Sequence, residues 1–153
     1  MIGNGEMIVR LLLAALFGGL IGFARECRSK VAGLRTHLLV SIGSALMMLL
    51  SRYGFGGQGD PARVAAQIVS GIGFIGAGAI MMDRRHAVRG LTTAAGIWVS
   101  SGIGMTVAAG MYVLAAAATV LSLIGLEFAV FAVRRYHGDE TDKSEEEKLR
   151  HDQ

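Results

Sequence analysis

The residues that could carry chemistry in this chain are few, and most lie beside or inside long apolar runs. Gly71, Gly73 and Gly76 form a G-x-G-x-x-G pattern, which in dinucleotide-binding folds holds a pyrophosphate at the start of a helix. That fingerprint requires a preceding strand and an acidic residue about 20 positions later. Here the pattern lies within an apolar run, and no acidic residue occurs between Asp83 and Glu127. The pattern therefore does not predict nucleotide binding.

The residue pattern does not support metal or nucleophile chemistry either. The four histidines show no ligand spacing such as H-E-x-x-H. Cys27 is the only cysteine, so the chain can form neither an intramolecular disulfide nor a cysteine cluster. No nucleophile, base and orienting group occur together. We therefore expect no metal site, no cofactor and no enzymatic activity.

Polar residues at predicted membrane depth are the next candidates. A carboxylate inside a membrane segment is costly and suggests a function, so Glu127 is one candidate, with Arg25 or Arg28 as its partner. Trp98 lies in the middle of a span, where its indole N–H needs an acceptor. Other polar groups more often join neighbouring helices, at about 0.6 kcal/mol each, than line a ligand path. These groups are Gln67, Ser70, Thr92, Thr93 and Ser100.

Charged residues near the ends of the first two predicted helices form another group. Arg25 and Glu26 close the first helix, and three polar residues open the second, namely Arg35, Thr36 and His37. The short connection between these helices could hold a cytoplasmic polar cluster. The alternative is ordinary anchoring of the helix ends by basic residues.

A helix start is predicted at Asp60, because aspartate is a preferred cap and Pro61 suits the first helical position. Arg63 would then anchor the helix at the membrane interface. The alternative is an outward-facing polar site, with Arg10 as a partner. Arg10 lies about one turn inside its own span, from where its side chain can snorkel to the interface.

Five apolar segments must position these residues. Hydrophobic residues make up 52% of the 153-residue chain, which contains 22 glycines, a composition typical of transmembrane helices. We predict an all-α integral membrane protein, a bundle of about five helices with a glycine-rich central helix. The predicted domain covers residues 1–136, with spans at 7–24, 34–51, 64–82, 91–109 and 112–133. Residues 137–153 form a charged cytoplasmic tail that we predict to be disordered.

Small residues indicate how the helices pack. The central segment carries four glycines, which let neighbouring backbones approach closely in lipid, so we expect contacts on more than one side of it. The next helix repeats small residues every four positions. The predicted packing residues are Gly71, Gly73, Gly76, Gly78, Gly96, Ser100 and Gly104.

Three basic clusters predict the orientation. With five spans, the clusters at 25–35, 84–89 and 134–135 all lie on the same side of the membrane. Basic loops are retained in the cytoplasm. We therefore expect the N-terminus outside and the C-terminus in the cytoplasm.

Three segments resemble the membrane domain of the MgtC/SapB family: AGLRTHLLVSIGSAL (32–46), DPARVAAQIVSGIGFIGAGAI (60–80) and VRGLTTAAGIWVSSGIG (88–104). The resemblance implies a bacterial inner-membrane protein of about five helices, linked to adaptation to low magnesium and in some members to intracellular survival. It also implies regulation of other membrane proteins, including ATP synthase. Thr92 and Val99 stand where the pathogen-associated type has Asn and Cys, and a short tail replaces its folded C-terminal domain. The shorter, SapB-like branch is therefore the closer resemblance.

Two functions remain open from the sequence. The first is a non-enzymatic regulator or interaction partner of other membrane proteins, linked to magnesium limitation or stress adaptation. The alternative is a small oligomeric transporter or channel for an ion such as Mg²⁺, with a path lined by Gln67, Thr92 and Ser100. The expected partners are the lipid bilayer, further copies of the chain and other inner-membrane proteins. A net charge of +3, held in short clusters, does not indicate nucleic-acid binding.

Overall fold

The computed structural model describes residues 2–55, 60–82 and 87–126. The helices are α1 (Asn4–Glu26), α2 (Leu34–Leu49), α3 (Pro61–Gly78), α4 (Leu91–Ala108) and α5 (Tyr112–Leu126), and a π-helical turn, Leu50–Gly54, continues α2. Two short strands, β1 (Met81–Met82) and β2 (Val88–Arg89), pair antiparallel between α3 and α4. The described residues up to Ser122 form one compact unit.

The predicted all-α membrane fold is confirmed within these described ranges. Asn4–Glu26, Leu34–Gly54 and Leu91–Ala108 are long and apolar enough to cross a membrane, and Tyr112–Leu126 is a shorter apolar helix. In a bilayer a helix satisfies all its backbone hydrogen bonds internally, which is why such apolar segments adopt this structure. The basic cluster at 134–135 and the predicted tail lie outside the described residues.

The third helix ends earlier than the sequence predicts. We expected a span to residue 82, but α3 ends at Gly78 and the chain turns into the β1–β2 pair. Gly90 follows with φ of 90°, a conformation that favours glycine. A Cβ atom at Gly90 would also collide with the Ala79 carbonyl. This close backbone approach sets the start of α4.

The closest packing in the unit joins α1, α2 and α4 through small residues. A Cβ atom on Gly18 would lie 2.5 Å from the Ser41 Cβ, and one on Gly22 would lie 2.7 Å from the Leu34 Cα. A Cβ atom on Gly104 would collide with the Ser41 carbonyl. Because lipid offers no hydrophobic drive for helix association, close backbone contact and interhelical hydrogen bonds stabilise this interface.

The glycine-rich helix α3 is central in chain order but lies at the edge of the unit, contrary to our expectation. Only Ile72 and Gly76 of α3 are buried. Gly76 approaches Ala94 of α4: a Cβ atom placed on Gly76 would lie 3.6 Å from the Ala94 Cβ. The other three α3 glycines that we predicted to pack do not contact another helix. A Cβ atom placed on any of them would have no other atom within 4 Å: Gly71, Gly73 and Gly78. Glycine content alone therefore did not identify the packed helix.

The helix directions follow from contacts at the two ends of the unit. Arg25, late in α1, bonds to Thr93, early in α4, whereas Arg10, early in α1, bonds to Ala108 at the end of α4. Helix α1 is therefore antiparallel to α4. Helix α2 runs parallel to α4, because its early residue His37 faces Gly96 of α4 and its later residue Ser44 bonds to Ser101. We name the two ends of the unit the Arg25 end and the Arg10 end.

Candidate functional site

A column of buried polar side chains runs between α1, α2 and α4 from one end of the unit to the other. Each of these side chains belongs to a residue that is at most 6% exposed. We call them the polar column: Arg25, Thr93, His37, Ser100, Ser41, Ser44, Ser101 and Arg10. Polar groups at membrane depth are expensive unless they are paired, so their partners indicate what the column can do.

At the Arg25 end, a guanidinium group lies between two helices. The Arg25 Nη2 atom donates a hydrogen bond to the Thr93 Oγ1 atom at 2.7 Å. Arg25 comes from the last turn of α1 and Thr93 from the first turn of α4. Among the residues that the structure describes, the Arg25 Nε atom has no hydrogen-bond partner. This end of the column therefore carries a positively charged guanidinium whose hydrogen-bond acceptor is a hydroxyl group.

His37 occupies the next layer and is completely buried. Its Nδ1 atom lies 3.0 Å from the Gly33 carbonyl oxygen, which can only accept, so Nδ1 carries the proton and donates. The Nε2 atom faces Gly96, where a built Cβ would lie 3.1 Å away. Within the described ranges, neither His37 Nε2 nor Ser100 Oγ has a hydrogen-bond partner. Glycine at position 96 is thus what makes room for the imidazole ring.

The middle of the column joins the helices directly. The Ser41 Oγ atom donates to the Ala14 carbonyl oxygen of α1 at 2.7 Å. The hydroxyl groups of Ser44 and Ser101 are 2.7 Å apart and link α2 to α4. These bonds run directly between groups of neighbouring helices.

At the Arg10 end, one arginine joins several elements. The Arg10 Nη1 atom donates to the Ala108 carbonyl oxygen at 2.6 Å, at the C-terminus of α4, where positive charge is favourable. Arg10 also forms an ion pair with Glu6 and a 3.5 Å contact with the Tyr53 hydroxyl, and it lies 5.8 Å from the centre of the Tyr112 ring. Its guanidinium thus bonds to Glu6, one turn nearer the start of α1, and to the end of α4.

The predicted polar cluster between α1 and α2 divides into two parts. Arg25 and His37 are buried in the column, whereas Glu26 caps α2 by accepting a hydrogen bond from the Leu34 backbone N–H at 2.6 Å. Arg35 and Thr36 instead line a polar surface pocket beside this cap. The sequence grouped these residues by proximity, but successive residues of a helix point to different faces.

The predicted helix start at Asp60 is observed. Its carboxylate accepts a hydrogen bond from the Ala62 backbone N–H at 2.9 Å, and Pro61 begins α3. Arg63 is exposed. Arg10, the partner of the alternative polar site, bonds among the described residues to Glu6 and to α4.

Other predicted candidates lie apart from the column. Gln67 and Thr92 are exposed on the outer surface, and Trp98 is 52% exposed beside α3. In a single chain, Gln67, Thr92 and the buried Ser100 therefore do not share one path. Glu127, with its expected arginine partner, lies outside the described residues.

Several residues in the column, or bonded to it, were not predicted as site residues. The Glu6 carboxylate was not considered, although it stands four positions before Arg10, the spacing of an ion pair on one helix face. Tyr53 carried no signal, because its contact depends on the π-helical turn after α2. Ser41 and Ser44 were not predicted as site residues, because their partners, Ala14 and Ser101, lie on other helices and cannot be identified from one sequence.

The fold and the column define a class: a polytopic α-helical membrane protein whose helix interface contains buried polar side chains that bond between helices, with an arginine at each end. The sequence profile of the MgtC family matches residues 11–135. This chain therefore belongs to the MgtC family, and the resemblance identified from the sequence is confirmed.

Individual relatives cover most of this chain. YhiD of Escherichia coli strain K12 is 50% identical over 131 residues, which cover 81% of this chain and 60% of YhiD. The protein MgtC of Salmonella typhimurium strain LT2 is 49% identical over 116 residues, covering 76% of this chain and 49% of MgtC. MgtC of Brucella abortus strain 2308 is 51% identical over 107 residues, covering 70% and 44%. The chain thus spans 60% or less of each of these relatives. No solved structure is significantly similar to it.

Proposed function

We propose that this chain is a non-enzymatic, magnesium-linked regulator or interaction partner of other membrane proteins. YhiD of Escherichia coli K12 carries a provisional name as a magnesium transporter, which supports the link to magnesium. The observation that carries the regulatory part of the proposal is the closure of the polar column by direct bonds between helices. The Ser41 and Ser44 hydroxyl groups are used to join helices.

The charge of the column also argues against a cation path through one chain. The buried guanidinium of Arg25 bonds to a neutral hydroxyl, and no described carboxylate pairs with it. A divalent cation about 5 Å from one guanidinium would be repelled by about 7 kcal/mol at an effective dielectric constant of about 20. The column is therefore better suited to holding three helices in register than to conducting Mg²⁺.

A path between several chains is the second candidate, favoured by the name given to YhiD. Gln67 and Thr92 are exposed on the outer surface of the unit, where a further copy could meet them. An oligomeric transporter would then use surfaces between chains in place of the closed column.

Ion flux in proteoliposomes distinguishes the two functions. Purified protein reconstituted into liposomes is tested for Mg²⁺ uptake with a fluorescent indicator, and protein extracted from cells in mild detergent is analysed for co-purifying membrane complexes. Regulation predicts no saturable flux above that of empty liposomes, together with a stable partner complex. Saturable Mg²⁺ flux that Gln67→Ala or Thr92→Ala reduces would reject the regulatory proposal in favour of an oligomeric path.

The orientation belongs to the same proposal. The α1–α2 connection and the β1–β2 pair lie at the Arg25 end, with Arg28, Lys30, Arg35 and Arg89 among them. Since basic loops are retained in the cytoplasm, we place the Arg25 end there, in a bacterial inner membrane, with the N-terminus outside and the C-terminus inside.

A further inference from the structure

An open apolar groove lies between α2 and α3 on the outside of the unit. It has a volume of about 380 Å³ and is lined by Leu39, Gly43 and Met47 of α2 and by Gly71 and Ile75 of α3, among others. At 1.5 Å per residue, the stretch from Leu39 to Met47 is about 12 Å long. That length is most of the depth of one leaflet in a hydrocarbon core about 30 Å thick. The groove is therefore long enough to take most of a lipid acyl chain.

A polar pocket of about 470 Å³ includes the first turn of the same helix, α2, on the Arg25 side of Leu39. Its lining includes Lys30, Arg35 and Glu26. Arg35 stands four residues before Leu39, so both residues lie on the same face of α2. The Glu26 carboxylate accepts a hydrogen bond from the Leu34 backbone N–H at 2.6 Å and is thus used as a helix cap. The two basic residues leave this pocket with a net positive charge.

We propose that the groove and the pocket together bind one anionic phospholipid, with an acyl chain in the groove and the phosphate against Lys30 and Arg35. Charge complementarity supports this occupant: an apolar groove, with a pocket that contains two basic groups further along the same helix, matches a lipid that ends in a negative headgroup. Basic groups near an anionic membrane surface each raise affinity about fivefold. The proposal holds for a regulator and for a transporter, because it depends only on the position of this surface in the membrane.

Filling the groove tests the acyl-chain site. Gly71 lines the groove, and a Cβ atom placed on it would have no other atom within 4 Å. We therefore choose Gly71→Leu to fill the groove. Gly73→Leu is the matched control, because Gly73 has the same free space on the same helix but does not line the groove. The purified chain in detergent is titrated with phosphatidylglycerol, and retained lipid is counted by native mass spectrometry. We expect Gly71→Leu to bind about tenfold more weakly than Gly73→Leu, which corresponds to about 1.4 kcal/mol.

The headgroup contact has its own test. Arg35→Gln should lower the preference for phosphatidylglycerol over phosphatidylcholine about fivefold, whereas Arg63→Gln, an exposed arginine in the first turn of α3, should not change it. Gly43→Leu fills the groove from the α2 side, so the site stays testable if Gly71→Leu fails to fold. Equal lipid retention by Gly71→Leu and Gly73→Leu would overturn the proposal. The proposal would also be overturned if Gly71→Leu lost the mass of an oligomer but retained as much lipid as the unmodified chain. The groove would then be a contact with a second copy of the chain.

Discussion

Adding one methyl group at Gly104 should destabilise the protein, whereas the same change two residues earlier should not. A Cβ atom on Gly104 would collide with the Ser41 carbonyl oxygen and lie 2.9 Å from the carbonyl carbon. Gly102 has no atom within 4 Å of a built Cβ. Both substitutions gain about 1 kcal/mol of helix propensity, and this gain cancels when the two variants are compared. Overpacking costs about 1–3 kcal/mol, so Gly104→Ala should be less stable than Gly102→Ala by about that amount.

Thermal unfolding in detergent, followed by circular dichroism, measures this difference. Gly102→Ala should unfold at or slightly above the temperature of the unmodified chain, and Gly104→Ala below it. The obstacle at Gly104 is backbone of α2, which cannot rotate away as a flexible side chain can. If Gly104→Ala unfolds at the same temperature as Gly102→Ala, α2 and α4 are not in the close contact on which the polar column depends.

Two further predictions test single contacts, and a third tests the topology. Thr93→Val leaves the buried Arg25 guanidinium without its acceptor and should cost about 1–3 kcal/mol of unfolding free energy. The exposed Thr92→Val is its control and should be near neutral in the same unfolding assay. Asp60→Ala removes the cap of α3 and should cost about 1 kcal/mol; an unchanged unfolding midpoint would mean that this cap is dispensable. The exposed Cys27 thiol is the only thiol in the chain and follows α1 at the Arg25 end. A membrane-impermeant maleimide should label it in inverted vesicles but not in intact cells, and the reverse result would invert our topology.

Local signals in the sequence were sufficient for the fold class and for several local features. The helices could be predicted from the long apolar segments, because a segment that spans a membrane must satisfy its backbone hydrogen bonds internally. The Asp60 cap could also be predicted from the sequence, because its carboxylate bonds to a backbone N–H only two residues along the chain and needs no other element. The family was also readable, because its motifs are continuous stretches of sequence.

Contacts between helices could only be decided by the tertiary structure. Gly73 and Gly104 are equally small, yet one faces open space and the other faces the backbone of α2. Arg25 and Thr93 are 68 positions apart, and nothing in the spacing of either residue indicates the other. The sequence alone determined the all-α membrane fold class, since each helix satisfies its own backbone. Which face of each helix is buried depends on the helix it packs against, and those contacts join residues that are far apart in the sequence.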